Sequence, residues 1–193
     1  MRKLIAGMKM SLDGKIEGPD GFADWVAAWS EDYGLTSQID ACLLGAGMYP
    51  GYERYWTAIQ EQPDMPLPMT GKLPTPAEVE WARFAARTPH HVLTHTLPPP
   101  LWPNTRFLRT LEEIAALKQE RGKDIYLVGG ARTTASLLDA GLVDEIRLIA
   151  YPLLAGEGKA LFSTVARRRR LALQEVRKLP EGNVSLRYAL PCA

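Results

Sequence analysis

Two adjacent glycines, Gly129 and Gly130, stand where an apolar run of strand character (residues 125–128) passes directly into a segment of helical character. Glycine has no Cβ atom, so the backbone at such a junction can approach a ligand closely, and the free N–H groups at the start of a helix favour an anion. The helix opens with three residues that offer backbone or side-chain donors for a diphosphate: Ala131, Arg132 and Thr133. The same two glycines are equally typical of a tight strand-to-helix connection that binds nothing.

A second junction of the same kind lies earlier in the chain. The buried run 41–44 ends in Gly45-Ala46-Gly47, and a helix is predicted over residues 48–59. In an α/β sheet, ligands bind in the crevice beyond the carboxyl ends of the strands. Two glycine-marked ends on neighbouring parallel strands therefore favour one dinucleotide lying across the sheet. Four aromatic residues of the predicted helix are more typical of helix packing than of a substrate-binding wall: Tyr49, Tyr52, Tyr55 and Trp56.

Three carboxylates are candidates for proton transfer: Asp13, Glu31 and Asp32. Asp13 and Gly14 follow the first predicted strand (residues 2–8), where they form a simple turn or part of a loop over a bound ring. Glu31 and Asp32 fall in the first turn of a short helix that Ser30 would cap. Reduction of a C=N bond needs a hydride donor and a proton source, and a partly buried carboxylate can help to supply that proton. For each carboxylate taken singly, a solvated turn or cap is the commoner role.

The elements that must position these residues alternate between strands and helices up to residue 140, and only strands follow. This order predicts an α/β fold in three layers, with a mostly parallel mixed sheet, an antiparallel C-terminal edge and flanking helices, in one domain over residues 1–193. The proline-rich stretch 62–76 is either a functional loop or a mobile one. Further strands are predicted at 91–94, 105–108, 144–154, 171–178 and 184–190, and further helices at 76–87, 110–121 and 132–139.

Composition excludes several classes of function. The 193 residues carry 23 basic and 22 acidic side chains, so there is no general electrostatic case for binding nucleic acid or a membrane surface. The run Arg167–Arg170 is expected to be a solvated turn or an oligomer contact, with nucleic-acid binding as a weaker alternative. No stretch has the length of a signal peptide or a transmembrane helix, and two cysteines suit a reducing cytoplasm. Three histidines and two cysteines without metal-binding spacing predict no metal site.

Six segments together resemble the dihydrofolate-reductase-like superfamily, and in particular the reductase domain of the bifunctional riboflavin-biosynthesis deaminase-reductase and its stand-alone bacterial relatives. They occur in the order found in that family and cover most of the chain: MKMSLDGKI (8–16), LLGAGMYPGYERYW (43–56), HVLTHTL (91–97), IYLVGGA (125–131), GLVDEIRL (141–148) and YPLLAGEGKALF (151–162). The chain has no cytidine-deaminase zinc signature, so deaminase activity is not expected of it.

The resemblance implies that NADPH binds across the central sheet. In the family the double glycine, here Gly129-Gly130, typically contains a cis peptide and contacts the cofactor diphosphate. The loop equivalent to residues 11–14 covers the nicotinamide and the substrate. The family commonly has arginine and threonine where this chain has Ala46 and Met48. An arginine or lysine that selects the 2′-phosphate often follows the strand that ends at Thr94, where this chain has His95. Use of NADH therefore stays open.

The resulting hypothesis is a cytoplasmic, homodimeric reductase that transfers a hydride from NADPH to a pterin-like or ribosylaminopyrimidine-like substrate, similar to a 5-amino-6-(5-phosphoribosylamino)uracil reductase. Dihydrofolate reductase activity is one alternative. A non-catalytic, nucleotide-binding dimeric protein is another, because customary phosphate contacts are altered. The resemblance leaves open which of the carboxylates assists protonation.

Overall fold

The computed structural model describes residues 1–29, 33–68 and 70–191. Ten strands occur in this part of the chain: β1 (Leu4–Ser11), β2 (Lys15–Glu17), β3 (Ile39–Gly45), β4 (His90–Leu93), β5 (Thr105–Leu108), β6 (Asp124–Gly129), β7 (Glu145–Tyr151), β8 (Lys159–Ala160), β9 (Ala172–Lys178) and β10 (Val184–Ala189). Four α-helices accompany them: α1 (Tyr49–Glu61), α2 (Pro76–Arg87), α3 (Leu111–Gln119) and α4 (Ala131–Asp139).

Eight of the strands form one mixed sheet in the order β5-β4-β3-β6-β1-β7-β10-β9. The six strands from β5 to β7 are parallel, so their carboxyl ends share one edge of the sheet. β10 and β9 are antiparallel and extend the sheet at its other end. The short strands β2 and β8 pair separately. The predicted fold class, a mostly parallel sheet with an antiparallel C-terminal edge, is confirmed.

Side chains that alternate along the central strands divide the core into two layers, as the two-residue period of a strand requires. On β3, Cys42 and Leu44 belong to the core cluster that packs under α1 and α2, whereas Ala41 and Leu43 belong to the cluster under α3 and α4. The parallel strands are covered on both faces, and all seven residues of β7 are buried. β9 differs, because all seven of its residues are exposed.

Most predicted boundaries agree with the structure, and the exceptions have local causes. The first strand runs to Ser11 rather than residue 8, because β1 stays paired with β7 as far as Ser11 and Tyr151. β7 ends at Tyr151 rather than at residue 154, since Pro152 has no N–H to donate. The helix start predicted at Ser30 lies outside the described residues. Within the described ranges, no helix has both the length and the apolar character needed to cross a bilayer.

Candidate active site

The two glycine-marked junctions meet at the carboxyl edge of the sheet. β3 and β6 are neighbours, and Leu44 pairs with Gly129. Gly45 lies so close to the first turn of α4 that an added Cβ atom would overlap the Thr133 hydroxyl. The two junctions predicted separately from sequence are therefore one structural unit.

Backbone geometry at the double glycine requires glycine. Gly129 and Gly130 have φ values of 131° and 96°, which L-residues with side chains rarely adopt. A Cβ atom on Gly129 would overlap the Met8 methyl group and lie 3.6 Å from the Met48 sulfur. The described residues contain no cis peptide bond, so the cis bond that the resemblance implied at Gly129-Gly130 is not found. The positive φ angles alone turn the chain from β6 into α4.

Helix capping separates α1 and α4 from the other two helices. α2 and α3 each begin with a complete capping box, formed by Thr75 with Glu78 and by Thr110 with Glu113. α1 and α4 have no side-chain cap and no acidic residue in the first turn. Their first N–H groups therefore lack the side-chain acceptors that the other helices provide, and both helices follow glycine junctions on adjacent strands. This arrangement suits a diphosphate.

The carboxyl ends of β4 and β5 lie on the same edge of the sheet, farther from α4. Thr94 is buried at the end of β4, and His95 after it is exposed. Ala46 donates its N–H to the Leu93 carbonyl at 3.1 Å, which ties the Gly45-Ala46-Gly47 junction to β4. Arg109, just beyond β5, donates from Nη1 to the Thr94 carbonyl at 2.5 Å. Arg109, which sequence reasoning missed, therefore lies beside the position after Thr94 where the family often has an arginine or lysine.

A cavity of about 270 Å³ opens on the side of the sheet that carries α1 and α2. Ligand pockets commonly measure roughly 300–1,000 Å³, so this one suits a small ligand. Eight of its 18 lining residues are aromatic, and they come from distant parts of the chain: Phe22, Trp29, Tyr33, Tyr52, Tyr55, Trp56, Trp81 and Tyr126. Of the four aromatic residues assigned to helix packing, Tyr52, Tyr55 and Trp56 are buried and also line the cavity, so that assignment was incomplete.

The cavity reaches the glycine junctions. Met8, Met48 and Val128 line it, and the same Met8 and Met48 flank Gly129. Gly7 makes room for the wall, because a Cβ atom there would lie 2.8 Å from the Tyr126 ring and 3.1 Å from the Tyr33 ring. A ligand lying along the strand ends would therefore present one end to the aromatic cavity.

Behind the wall, polar atoms form a chain that leads away from the cavity. Tyr52 lies 3.2 Å from Nε2 of His90, and Nδ1 of His90 lies 2.8 Å from the Thr88 carbonyl. A carbonyl can only accept, so Nδ1 carries the proton and Nε2 accepts from Tyr52. Burial lowers the pKa of His90 to about 4 and raises the pKa of Tyr52, so both are neutral near pH 7.

Glu78 connects the wall to the loop before residue 30. Its Oε1 accepts from the Tyr55 hydroxyl at 2.8 Å and from the Trp29 N–H at 2.9 Å, while Oε2 accepts from the Thr75 N–H. Burial alone would raise the pKa of Glu78, but these hydrogen bonds outweigh it and the pKa is lowered. Glu78 is thus an ionised, positioning carboxylate behind two wall residues.

Two charged residues line the cavity within the described part of the chain, Lys9 and Glu17. Lys9 is 4% exposed, and its Nζ donates to the Ala28 carbonyl at 2.7 Å. Glu17 accepts from the Lys159 ammonium group at 2.6 Å. Sequence reasoning missed Lys9 because a single lysine inside an apolar strand gives no motif.

Asp13 and Gly14 lie in a turn that is fastened to the segment after β7. Asp13 accepts from the Ser11 hydroxyl at 2.6 Å and from the N–H groups of Ala155 and Gly156 at 3.0 and 2.8 Å. Led by the Ser11 bond, these contacts lower the pKa of Asp13 to about 2. Gly14, with φ 81°, accepts from the Leu161 N–H. Neither residue lines the cavity described above.

The other two predicted carboxylates, Glu31 and Asp32, lie outside the described residues. Their described neighbours, Trp29 and Tyr33, both line the cavity.

Comparison with known proteins places this geometry in a family. A model of the RibD C-terminal domain matches residues 2–185. The chain belongs to the RibD C-terminal domain family. It is 31% identical over 192 residues to the uncharacterized protein YyaP of Bacillus subtilis (strain 168), a match that covers 97% of this chain and 94% of YyaP. Membership of this family supports a reductase of the riboflavin-biosynthesis type.

Solved structures agree on the fold. A pyrimidine reductase-like protein from Corynebacterium diphtheriae superposes with a TM-score of 0.63 at 17% identity, over 98% of this chain and 92% of that chain. Dihydrofolate reductase from Enterococcus faecalis, complexed with NADP(H), superposes with a TM-score of 0.59 at 17% identity, over 98% and 96% of the two chains. The RibD C-terminal domain of this chain therefore has a dihydrofolate-reductase-like fold.

Proposed function

We propose that this RibD C-terminal domain is an NADPH-dependent reductase that transfers a hydride to a planar, pterin-like or aminopyrimidine-like substrate. One observation carries the proposal: an edge suited to a diphosphate, made by the junctions at Gly45 and Gly129, leads directly into an aromatic cavity. Residues 1–193 would act as one reductase domain. The alternatives are dihydrofolate reductase activity and a non-catalytic, nucleotide-binding protein.

The residues at the strand ends fit a dinucleotide cofactor. Gly45 and Gly130 would let the backbone approach the diphosphate, Ala131 and Arg132 would add backbone N–H groups, and Thr133 a hydroxyl. When bound, the cofactor supplies the hydride. The chain would orient both partners, because Met8 and Met48 line the cavity and also flank Gly129 at the strand ends. Burial of the wall excludes water from the ring that is reduced.

Proton supply is assigned to the carboxylates Glu31 or Asp32, whose neighbours Trp29 and Tyr33 line the cavity. Asp13 fits a different role. With a pKa of about 2 it is ionised at neutral pH and cannot serve as the proton donor. We assign it, together with Gly14, to holding the turn after β1 against Ala155 and Gly156.

Preference for NADPH over NADH is assigned to Arg109 and His95, beside Thr94 at the end of β4. A charge-assisted contact to the 2′-phosphate contributes about 1.5–3 kcal/mol. We therefore expect Arg109→Leu to raise the KM for NADPH about tenfold and to leave that for NADH unchanged. Arg106→Leu, which removes an exposed arginine of β5 three residues before Arg109, is the matched control. Equal effects of Arg109→Leu on both cofactors would contradict this assignment.

A titration that follows tryptophan fluorescence tests the proposal as a whole, because Trp29, Trp56 and Trp81 line the cavity. Gly47 is exposed, and an added Cβ atom there meets nothing within 4 Å. Gly47→Asp would therefore fold normally while its carboxylate repels the diphosphate, lowering NADPH affinity at least tenfold. Gly47→Asn is the neutral control. Turnover of NADPH with a dihydropterin or an aminouracil should follow. Failure of the unaltered protein to bind NADPH or NADH would favour the non-catalytic alternative.

Homodimerisation is proposed through the outer strands. A bulge in the β9–β10 pairing places Leu173 opposite Tyr188 and Val176 opposite Leu186, so all four share one face. Leu173 and Val176 are 55% and 54% exposed. Apolar side chains on an unpaired edge strand are unusual in a monomer. A reducing, cytoplasmic location is also proposed, because the chain has only two cysteines, of which Cys42 is buried.

A further inference from the structure

Two hydroxyl groups of the aromatic wall, those of Tyr52 and Tyr55, are directed into the protein. Tyr55 donates to Glu78, and Tyr52 donates to Nε2 of His90. These two side chains therefore present ring surfaces to the cavity and keep their hydrogen-bonding groups behind the wall. A ligand in the cavity gains contact with aromatic carbon from them and no additional donor.

The rings of the wall also hold one another in place. Trp81 meets Trp56 at 6.3 Å and 67°, and Tyr126 at 5.8 Å and 80°, measured between ring centroids and ring planes. Tyr55 meets Trp56 at 5.0 Å and 88°. Edge-to-face contacts of this kind are favourable, and they give a wall that is shaped before a ligand arrives.

Cations are scarce around the cavity. Lys9 is the one basic residue that lines it within residues 1–29, 33–68 and 70–191, and its ammonium group already donates to Ala28. Lys159, nearby on β8, is paired with Glu17, and Lys15 donates to the Gly158 carbonyl. Residues 30–32 are Ser, Glu and Asp, so that segment contains no cation.

A phosphate group requires a different environment. Proteins bind phosphate with clustered charge-assisted donors, commonly arginine side chains or several backbone N–H groups. Moving a phosphate dianion into contact with aromatic rings, with one lysine nearby, would remove its hydration without replacing it. The same rings stack well on a flat, uncharged heterocycle.

We propose that the substrate of this site is an uncharged planar heterocycle without a phosphate group, held by stacking within the aromatic wall. This inference rests on the proposed reductase function and narrows its substrate class. It excludes the phosphoribosyl substrate that the resemblance to the bifunctional riboflavin enzymes implied.

The test compares matched ligands in the presence of saturating NADPH, with tryptophan quenching as the readout. The first pair is 5-amino-6-ribosylaminouracil with and without its 5′-phosphate, and 7,8-dihydropterin is the planar ligand without a sugar. We expect the phosphate to weaken binding at least tenfold and the dihydropterin to bind most tightly. A smaller penalty, or tighter binding of the phosphorylated compound, would overturn the inference.

A pair of variants locates the ligand. Phe22 lines the cavity and is only partly buried, so Phe22→Ala should preserve the fold and lower dihydropterin affinity about fivefold. Phe162→Ala, at a residue that is 39% exposed and does not line the cavity, should have no effect. Equal affinities in the two variants would overturn the inference.

Failure of the inference can be told apart from failure of the proposed function. If NADPH binds but the phosphorylated ligand is preferred, the inference alone fails. If NADPH binds but no ring ligand does, the inference fails together with the substrate class of the proposed function. If the protein does not bind NADPH or NADH, the proposed function fails and the inference fails with it.

Discussion

Protonation of His90 should control the stability of this protein between pH 7 and pH 5. The imidazole is fully buried, with Nδ1 near the Thr88 carbonyl and Nε2 near the Tyr52 hydroxyl. Burial lowers its pKa from 6.5 to about 4. The unfolded chain therefore binds a proton more readily than the folded one, and the free energy of unfolding falls as pH drops from about 6.5 towards 4. One pKa unit corresponds to about 1.4 kcal/mol, so the loss is about 2 kcal/mol at pH 5 and about 3 kcal/mol below pH 4.

Urea denaturation at pH 7 and pH 5 measures this loss. His90→Gln keeps a donor and an acceptor but cannot be protonated, so it should lose about 2 kcal/mol less than the unaltered protein over that interval. The pKa of His91 is also lowered, chiefly by burial, so the variant should retain some pH dependence. Glu78 and Glu145 have lowered pKa values and contribute only as pH falls below about 4.5.

His95→Gln, at an exposed histidine, is the matched control for the same experiment. In thermal unfolding, the loss at pH 5 corresponds to about 4–8 °C for a chain of this length. Identical pH dependence of His90→Gln and the unaltered protein would refute the claim that His90 is held neutral by the fold.

Three further changes probe other parts of the structure. Gly45→Ala should lower stability and NADPH affinity, because the new methyl group displaces Thr133. Adding Thr133→Ala should restore about 1 kcal/mol of the free energy of unfolding in a double-mutant cycle measured with urea. Additive effects of the two substitutions would contradict the contact. Glu145→Gln removes the negative charge that pairs with the buried guanidinium group of Arg147. It should reduce the free energy of unfolding by about 3 kcal/mol in the same assay. Leu173→Lys with Val176→Lys should convert a dimer to a monomer in sedimentation velocity, and an unchanged sedimentation coefficient would argue against the β9 interface.

The sequence predicted the glycine junctions because their signals are local. An apolar run, then glycine, then a helix start is visible within about ten residues at Gly45 and at Gly129. The contact between Gly45 and Thr133 needs one further fact, that β3 and β6 are neighbours. Sequence order does not provide it, because β4, β5 and three helices separate these strands along the chain. Arg109 was missed for the same reason, since its position beside Thr94 depends on the pairing of β4 with β5.

The aromatic cavity could not have been predicted from sequence. Its wall combines residues as distant as Phe22 and Tyr126, and no spacing rule connects them. Each ring also belongs to the core, so burial of Tyr52 or Trp81 is explained equally well by packing. A cavity wall differs from ordinary core packing in the direction of its polar atoms, and only the three-dimensional structure shows that direction.

Helix caps, in contrast, were a sequence signal that could have been used more fully. Thr75 with Glu78 and Thr110 with Glu113 have the spacing of a capping box, and the structure forms both boxes. The starts of α1 and α4 have glycine nearby and neither a cap nor a first-turn carboxylate. The two helices without a side-chain cap, α1 and α4, both begin at the ends of neighbouring strands, β3 and β6. Because uncapped helix starts cost stability of about 1 kcal/mol each, their pairing on β3 and β6 favours a shared anionic ligand over two unrelated tight turns.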